Sequence, residues 1–155
     1  MKICRGFTLL ELMVTVAVVA ILATVGVPGF QGLVQNNRVT TQTNELVTAL
    51  NFARTEAVKR GRSVQVAVAQ ADPGWTATVA TTGTDPETLR QLNRQGSGIT
   101  VNAATFRFGP TGILAAPAGG GSFEMEPKSG DADKYRRCIA VGVSGQITTT
   151  RAACQ

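Results

Sequence analysis

The chain opens with an apolar run that is long enough to cross a membrane. From Leu12 to Val27 it contains no charged residue, and counted from Phe7 it has the length of about 20 residues that a spanning helix needs. One carboxylate, Glu11, stands close to its start, where an uncompensated charge is costly in hydrocarbon. Pro28 ends the run. Because proline removes a helix hydrogen bond, it predicts either a kink or the end of the membrane helix.

The next segment, from Phe30 to about Arg60, is polar and has the period of an amphipathic helix. Lys59 and Arg60 suit a helix C-terminus, and Gly61 is placed to follow it as the C′ residue. We expect one face of this helix to be buried against a sheet, with Val39 and Val58 near its ends and with the apolar positions Leu46, Ala49, Leu50, Ala53 and Ala57 along it.

Beyond Gly61 the hydrophobic period changes to two, which is typical of half-buried strands. The residues between 115 and 121 predict a small-residue loop, and those between 128 and 134 a charged loop. One helix followed by seven or eight short strands predicts an α+β fold, with the long helix packed on an antiparallel β-sheet or β-sandwich. The predicted strands are 64–68, 75–79, a short strand or turn at 89–92, 99–101, 105–108, 123–126, 138–143 and 146–150.

Composition argues against an enzyme. The 155 residues make one domain plus a tail, and none of them is histidine, the commonest general base and metal ligand. Asp131 and Asp133 lack the remaining ligands of a calcium loop, and the glycines of 119–121 have no lysine after them as a phosphate loop requires. We therefore predict no catalytic residues, no metal and no cofactor.

The N-terminal run has three interpretations. A cleaved secretory signal fits the basic residues Lys2 and Arg5, but the run is longer than usual and ends without an A-x-A-like site. A plain signal anchor explains the length and places the N-terminus in the cytoplasm, but it gives Glu11 no role. The third interpretation is a processed segment in which each of these residues has a function.

The third interpretation comes from a resemblance to type IV prepilins and type II secretion pseudopilins, carried by the stretch Gly6-Phe7-Thr8-Leu9-Leu10-Glu11. The resemblance implies that residues 1–6 are a leader cut off after Gly6 and that Phe7 becomes an N-methylated N-terminus. Glu11 would then pair with the α-amine of a neighbouring subunit during assembly. Pilins usually carry a proline near Pro28, where the helix bends.

A second block, Leu50 to Gly61, resembles the L-x-x-A-R-S-E-A helix end of one pilin subgroup. That subgroup contains the minor pilins FimT and FimU and the related type II secretion minor pseudopilin GspH, and its fold is a long helix embraced by two antiparallel sheets. The predicted organisation is a leader (1–6), a transmembrane or filament-core helix (7–29), an amphipathic second half of the helix (30–61) and a periplasmic β domain (62–155).

The cysteines predict a disulfide. Cys4 would be lost with the leader, which leaves Cys138 and Cys154 as an even pair outside the cytoplasm, where disulfides persist. A bond between them would tie down the C-terminus. The alternative, a two-cysteine metal site, has neither a histidine nor a CxxC spacing to complete it.

DNA binding is an alternative function of another class. Some FimT-like pilins bind DNA for natural transformation through G-R-x-R in the last hairpin, but here Gly145 is followed by the neutral Gln146 and Thr148 at the two arginine positions. That departure argues against DNA uptake. The formal charge is +5, or +3 once Lys2 and Arg5 are removed with the leader. The remaining cations that could contact phosphates are Arg60, Arg62, Arg136, Arg137 and Arg151.

The resemblance implies a minor pilin that is processed by prepilin peptidase and takes part in type IV pilus assembly. Its partners would be the peptidase/methyltransferase, other major and minor pilins and the inner-membrane assembly platform, with DNA a doubtful addition. It would sit in the bacterial inner membrane with its C-terminal domain in the periplasm, and then in the filament. A type II secretion minor pseudopilin is the alternative within the same architecture. A simple membrane-anchored periplasmic domain is a third alternative, and it predicts no cleavage by prepilin peptidase.

Overall fold

The structure is a computed structural model that describes residues 7–72, 74–129 and 131–154, without the side chains of 27–29. It divides into two compact units, one reaching Asn36 and one beginning at Asn37. The helix α1, Leu9–Arg60, contributes residues to both.

In the first unit, α1 begins after Thr8, whose side chain caps it. Thr8 Oγ1 accepts a hydrogen bond from the backbone N–H of Glu11 at 3.2 Å, as an N-cap threonine does. The helix does not end at Pro28, because α1 continues through that residue. Of the two alternatives at Pro28, the end of the helix is therefore wrong, and the kink stays a prediction.

In the second unit, α1 ends as predicted at Gly61. Gly61 has φ +61°, a conformation that glycine adopts without a Cβ penalty. Its N–H donates to Val58 O and the N–H of Arg62 donates to Ala57 O, both at 3.3 Å. These two bonds form a Schellman motif, which satisfies carbonyls that the last turn would otherwise leave unpaired.

Nine antiparallel strands and a short helix follow in the described part of the chain. A five-stranded sheet has the order β3-β2-β1-β5-β6, and a four-stranded sheet has the order β4-β7-β8-β9. The elements are β1 Val64–Gln70, β2 Gly74–Thr81, β3 Thr88–Gln95, β4 Ile99–Val101, β5 Ala104–Phe108, β6 Leu114–Ala116, β7 Gly121–Pro127, α2 Ala132–Tyr135, β8 Arg137–Val141 and β9 Ile147–Thr150.

Two segments differ from the sequence prediction. The predicted small-residue loop starts inside β6, which pairs with β5 at Leu114 opposite Phe108. The predicted charged loop contains α2, where the carboxylate of Asp131 accepts from the N–H of Lys134 at 3.1 Å. β6 is held by backbone pairing with β5, and α2 is held by its cap. Neither has a hydrophobic period that the sequence could reveal.

The core of the second unit lies between α1 and the two sheets. The five positions of the predicted apolar stripe are all fully buried, whereas Val58 is 53% exposed and does not belong to it. Trp75 Nε1–H, in the five-stranded sheet, donates to Gln42 Oε1 of α1 at 2.6 Å. On the other side, the hydroxyl of Thr43 donates to Met125 Sδ of the four-stranded sheet at 3.8 Å. The α+β prediction, a long helix packed on antiparallel β structure, is confirmed.

Candidate functional site

The N-terminal segment places its predicted residues at the first turn of α1. Gly6 lies outside the described residues, while Phe7 precedes the helix and is 77% exposed. Glu11 is in the first turn, where a carboxylate favours the positive end of the helix dipole. Thr8 and Glu11 also have the spacing of a capping box, in which the third helical residue is glutamate or glutamine. This spacing offers the carboxylate a local partner at the helix start, besides any role between subunits.

The apolar side chains that follow are exposed. The large hydrophobic residues from Leu9 to Leu33 whose exposure is described lie at 50% or more. An 18-residue window of α1 has a mean hydropathy of 2.4, and none of it is buried. By length and composition the helix can cross a membrane. So large an uncovered apolar surface marks a contact with lipid or with other apolar helices.

Arg136, one of the predicted phosphate contacts, is surrounded by carboxylates instead. Its guanidinium lies 2.7 Å from Glu124, 3.0 Å from Glu126 and 3.0 Å from Asp133. Burial opposes the charge, but these three carboxylates outweigh it and raise the pKa of Arg136 above its usual value. Its positive charge is thus already compensated within the fold.

Arg137 is buried, with 5% of its surface exposed. Its Nη1 donates to the carbonyls of Tyr135 and Arg136 at 3.1 and 3.0 Å, and its Nη2 donates to Thr40 Oγ1 at 3.4 Å. Burial lowers its pKa, and the charge of Arg151 lowers it further. The structure brings Arg137 and Arg151 together at one cavity.

Arg60, at the end of α1, bridges two carboxylates. It lies 2.7 Å from Glu56 and 2.7 Å from Glu87. The hydrogen bond to Glu56 is the main reason that the pKa of Arg60 is raised, and the same bond lowers the pKa of Glu56. Of the five predicted cations, only Arg62 and Arg151 are exposed without an ion pair among the described residues. They do not make a row of free charges along one face.

Cys138 and Cys154 form a disulfide, with their Cα atoms 5.1 Å apart. Cys138 lies in β8 and is buried, so the bond fixes the C-terminal tail to the four-stranded sheet. The predicted pairing is present in the structure.

Arg54 is a structural residue that the sequence analysis did not single out. Its Nη2 donates to the carbonyl of Ser144 at 3.3 Å. A Cβ built on Gly112 would lie 3.4 Å from its Nε, and one built on Gly145 would lie 3.1 Å from it. The side chain therefore crosses the turns that follow β5 and β8. Its place in the A-R-T-E-A block was the available signal.

Comparison with known proteins agrees with this architecture. A family model described as "Type II transport protein GspH" matches residues 42–145, and one described as "Prokaryotic N-terminal methylation motif" matches residues 1–27. A fimbrial protein of Pseudomonas aeruginosa is 28% identical over 120 residues, which covers 75% of this chain and 77% of that protein. Another from the same organism is 39% identical over 64 residues, 41% of each.

Two crystal structures of the Pseudomonas aeruginosa type IV minor pilin FimU match the fold. In one crystal form the TM-score is 0.63 at 19% identity, covering 76% of this chain and 92% of the crystallised FimU chain. In the other it is 0.57 at 22% identity, covering 72% and 91%. The long helix on two antiparallel sheets is thus a pilin-type fold. The chain belongs to the GspH family and carries the N-terminal methylation motif.

Proposed function

We propose that this chain is a minor pilin of a type IV pilus. In this proposal it is cut between Gly6 and Phe7, N-methylated on Phe7, and added to the filament to help prime its assembly. This proposal rests on one combination of findings. The methylation motif matches residues 1–27, and the apolar helix that follows has exposed side chains. The second unit has its own core and disulfide, so it remains folded while the first unit changes surroundings.

The proposed path of the helix follows from its exposed apolar surface. Before assembly that surface is covered by the hydrocarbon of the inner membrane, with the β unit in the periplasm. In the filament it is covered by the equivalent helices of other major and minor pilins. The inner-membrane assembly platform would move the subunit from one setting to the other. Both settings are apolar, so the transfer does not expose the helix to water.

Glu11 would then set the position of the subunit along the filament. Cleavage gives Phe7 a free α-amine, a cation next to the first turn of α1. In an apolar filament core an unpaired carboxylate is costly, and pairing with the amine of the neighbouring subunit relieves that cost. This role needs the negative charge of Glu11, whereas the capping box needs only a hydrogen-bonding side chain.

Substitution of Glu11 separates these two roles. Glu11→Gln keeps the capping box and removes the charge, and Glu11→Ala removes both. We expect both variants to be inserted and cleaved normally but recovered in sheared filaments at least about tenfold less than wild type, since breaking a buried ion pair costs several kcal/mol. Thr15→Ala is the control, because the Thr15 hydroxyl donates to Leu12 O of its own helix and has no partner in another element among the described residues. Wild-type recovery of Glu11→Gln would refute the pairing role.

A second candidate, a type II secretion minor pseudopilin, is favoured by the description of the matching family. A pseudopilin would be processed in the same way and have the same fold as a minor pilin. It would enter the filament of the secretion system instead of the pilus. Deletion in a host that has both systems distinguishes them. Loss of surface pili and twitching with normal secretion supports the pilus, and the opposite result supports the secretion system.

A further inference from the structure

The two sheets of the second unit differ in how their edges are protected. An edge strand leaves one row of backbone groups unpaired, and a strand of another chain can pair with that row. The edges of the five-stranded sheet are β3 and β6. β3 carries Arg90 and Arg94, and charged side chains on an edge oppose the addition of a strand. β6 is covered by the turn after β8, because the N–H of Leu114 donates to the carbonyl of Val143 at 3.0 Å.

The four-stranded sheet has β4 at one edge, and the outward donors of β4 are already used. The carbonyl of Gly98 bonds to the residue that follows β7. Because hydrogen-bonded pairs alternate along an antiparallel ladder, the N–H groups of Ile99 and Val101 then point away from β7. The first donates to Ser97 Oγ at 3.4 Å, and the second donates to Gln70 Oε1 at 2.8 Å. Side chains of the same chain thus close this edge.

The other edge, β9, has the same alternation without such a cover. In the turn before it, the N–H of Gly142 donates to the carbonyl of Gln146 at 2.8 Å. The backbone groups of Ile147 and Thr149 therefore point away from β8. Within the described part of the chain, no hydrogen bond reaches these outward groups. β9 has no charged residue, and three of its four residues are exposed threonines.

We propose that β9 pairs with β9 of a second copy of this chain, in an antiparallel ladder centred on Thr148. In this register Ile147 of each copy lies opposite Thr149 of the other, so each of the four outward N–H groups meets a carbonyl. A ladder around a two-fold axis places its central residue opposite itself, which a charged residue would oppose. The five residues of 146–150 are uncharged, and four of them are β-branched, so they suit self-pairing.

This pairing would join two four-stranded sheets into one of eight strands. It uses neither Glu11 nor the apolar side chains of the first unit. The surface is thus separate from the residues proposed for filament assembly, and it adds a contact between the β units of two copies.

The first test measures amide hydrogen exchange of segment 146–150 in the full chain, in detergent micelles over a range of protein concentrations. We expect exchange to slow as the concentration rises. Thr149→Pro should abolish this dependence, because it removes an outward N–H and no bond to β8, and an edge strand tolerates proline at such a position. Thr149→Ala is the matched control. It loses the same side chain but keeps the N–H, so it should behave as wild type.

A charge swap at Thr148 tests the register without changing the backbone. Thr148 is exposed and would face its own counterpart in the second copy. Thr148→Lys and Thr148→Glu alone should each weaken self-association about fivefold by like-charge repulsion, and an equimolar mixture of the two should restore it. Sedimentation equilibrium in density-matched detergent measures the association. Contacts between the apolar helices are the same in all these samples, so they do not produce this pattern.

Three results would overturn the proposal. One is exchange of segment 146–150 that does not depend on concentration in the wild-type chain. Another is a mixture of the Thr148 variants that associates no better than either variant alone. The third is protection that appears only when a different pilin is added, since the occupant of this edge would then not be a second copy.

Discussion

At the scale of single residues, the turn after β8 depends on a glycine. Gly145 has φ +78°, which is strained for any other residue. A Cβ built there would also lie 2.3 Å from the carbonyl oxygen of Gly112, closer than real atoms approach. Gly112 has φ +77° and faces the same arginine, Arg54. Two turns from different sheets thus meet over one helix side chain.

Gly145→Ala should therefore destabilise the protein by about 1–3 kcal/mol, since both the backbone conformation and the approach to Gly112 would have to change. Gly119→Ala is the control, because a Cβ there would meet no atom within 4 Å. Its effect should stay within about 0.5 kcal/mol. Chemical denaturation of the two variants and wild type measures the difference. Equal stability of both variants would contradict this account of the turn.

The residue scale also shows what sequence could predict of the candidate site. Gly6, Phe7 and Glu11 are recognisable because their spacing along the chain is itself the signal. The sequence does not show which arginines are paired, because their partners are brought together only by folding. Arg60 meets Glu87, and Arg136 meets Glu124 and Glu126. The burial of Arg137 likewise follows from the packing of β8 against α1.

At the scale of elements, the last turn of α1 is held to the loop before β3 by charge. Arg60 joins Glu56, in the same helix, to Glu87. Because the hydrogen bond to Arg60 keeps the pKa of Glu56 below its ordinary value of 4.5, the folded protein binds a proton there less readily than the unfolded chain. The bond therefore stabilises the folded protein fully at pH values above the pKa that Glu56 has in the unfolded chain. This stabilisation is lost as the pH falls through the pKa that Glu56 has in the folded protein.

Glu56→Gln should consequently be less stable than wild type at pH 7, and the gap should close as pH falls below about 4.5. Asp85→Asn is a suitable control, since Asp85 is exposed and has no ion pair among the described residues. It should match wild type over the same range. Thermal unfolding at a series of pH values provides the comparison. A gap that persists unchanged to about pH 3 would show that Glu56 acts through something other than its charge.

Elements with a strong hydrophobic period were predicted from sequence, and elements without one were not. The apolar stripe of α1 and the strands on either side of Gly74 follow from periods of 3.6 and 2. β4 has only three residues, but its apolar Ile99 and Val101 alternate with Thr100. β6 is equally short and ends in two alanines, and α2 has four residues, so neither shows a period. β3 carries Arg90 and Arg94 on an edge strand, which weakens its alternation. The pairing of Arg94 with Glu45 at 2.6 Å gives one of these charges a partner on α1.

At the scale of the whole molecule, the two units differ in whether their apolar side chains are covered within the chain. The second unit buries a continuous hydrophobic core, and a disulfide fixes its C-terminal tail to the four-stranded sheet. The first unit exposes its large apolar side chains and needs an apolar environment outside the chain. The proposed move of the subunit from a membrane to a filament would use this division. The fold class followed from sequence patterns, but which surfaces contact other subunits depends on an assembly that the isolated chain does not contain.

The most direct test of this account is the mass of the mature N-terminus. The protein should be isolated from cells that have prepilin peptidase and, as a control, from cells that lack it. Processing predicts a chain that begins with N-methylated Phe7 in the first case and the full leader in the second. An intact Met1 in peptidase-competent cells would contradict the central claim, because Phe7 would then have no free amine for Glu11 to pair with.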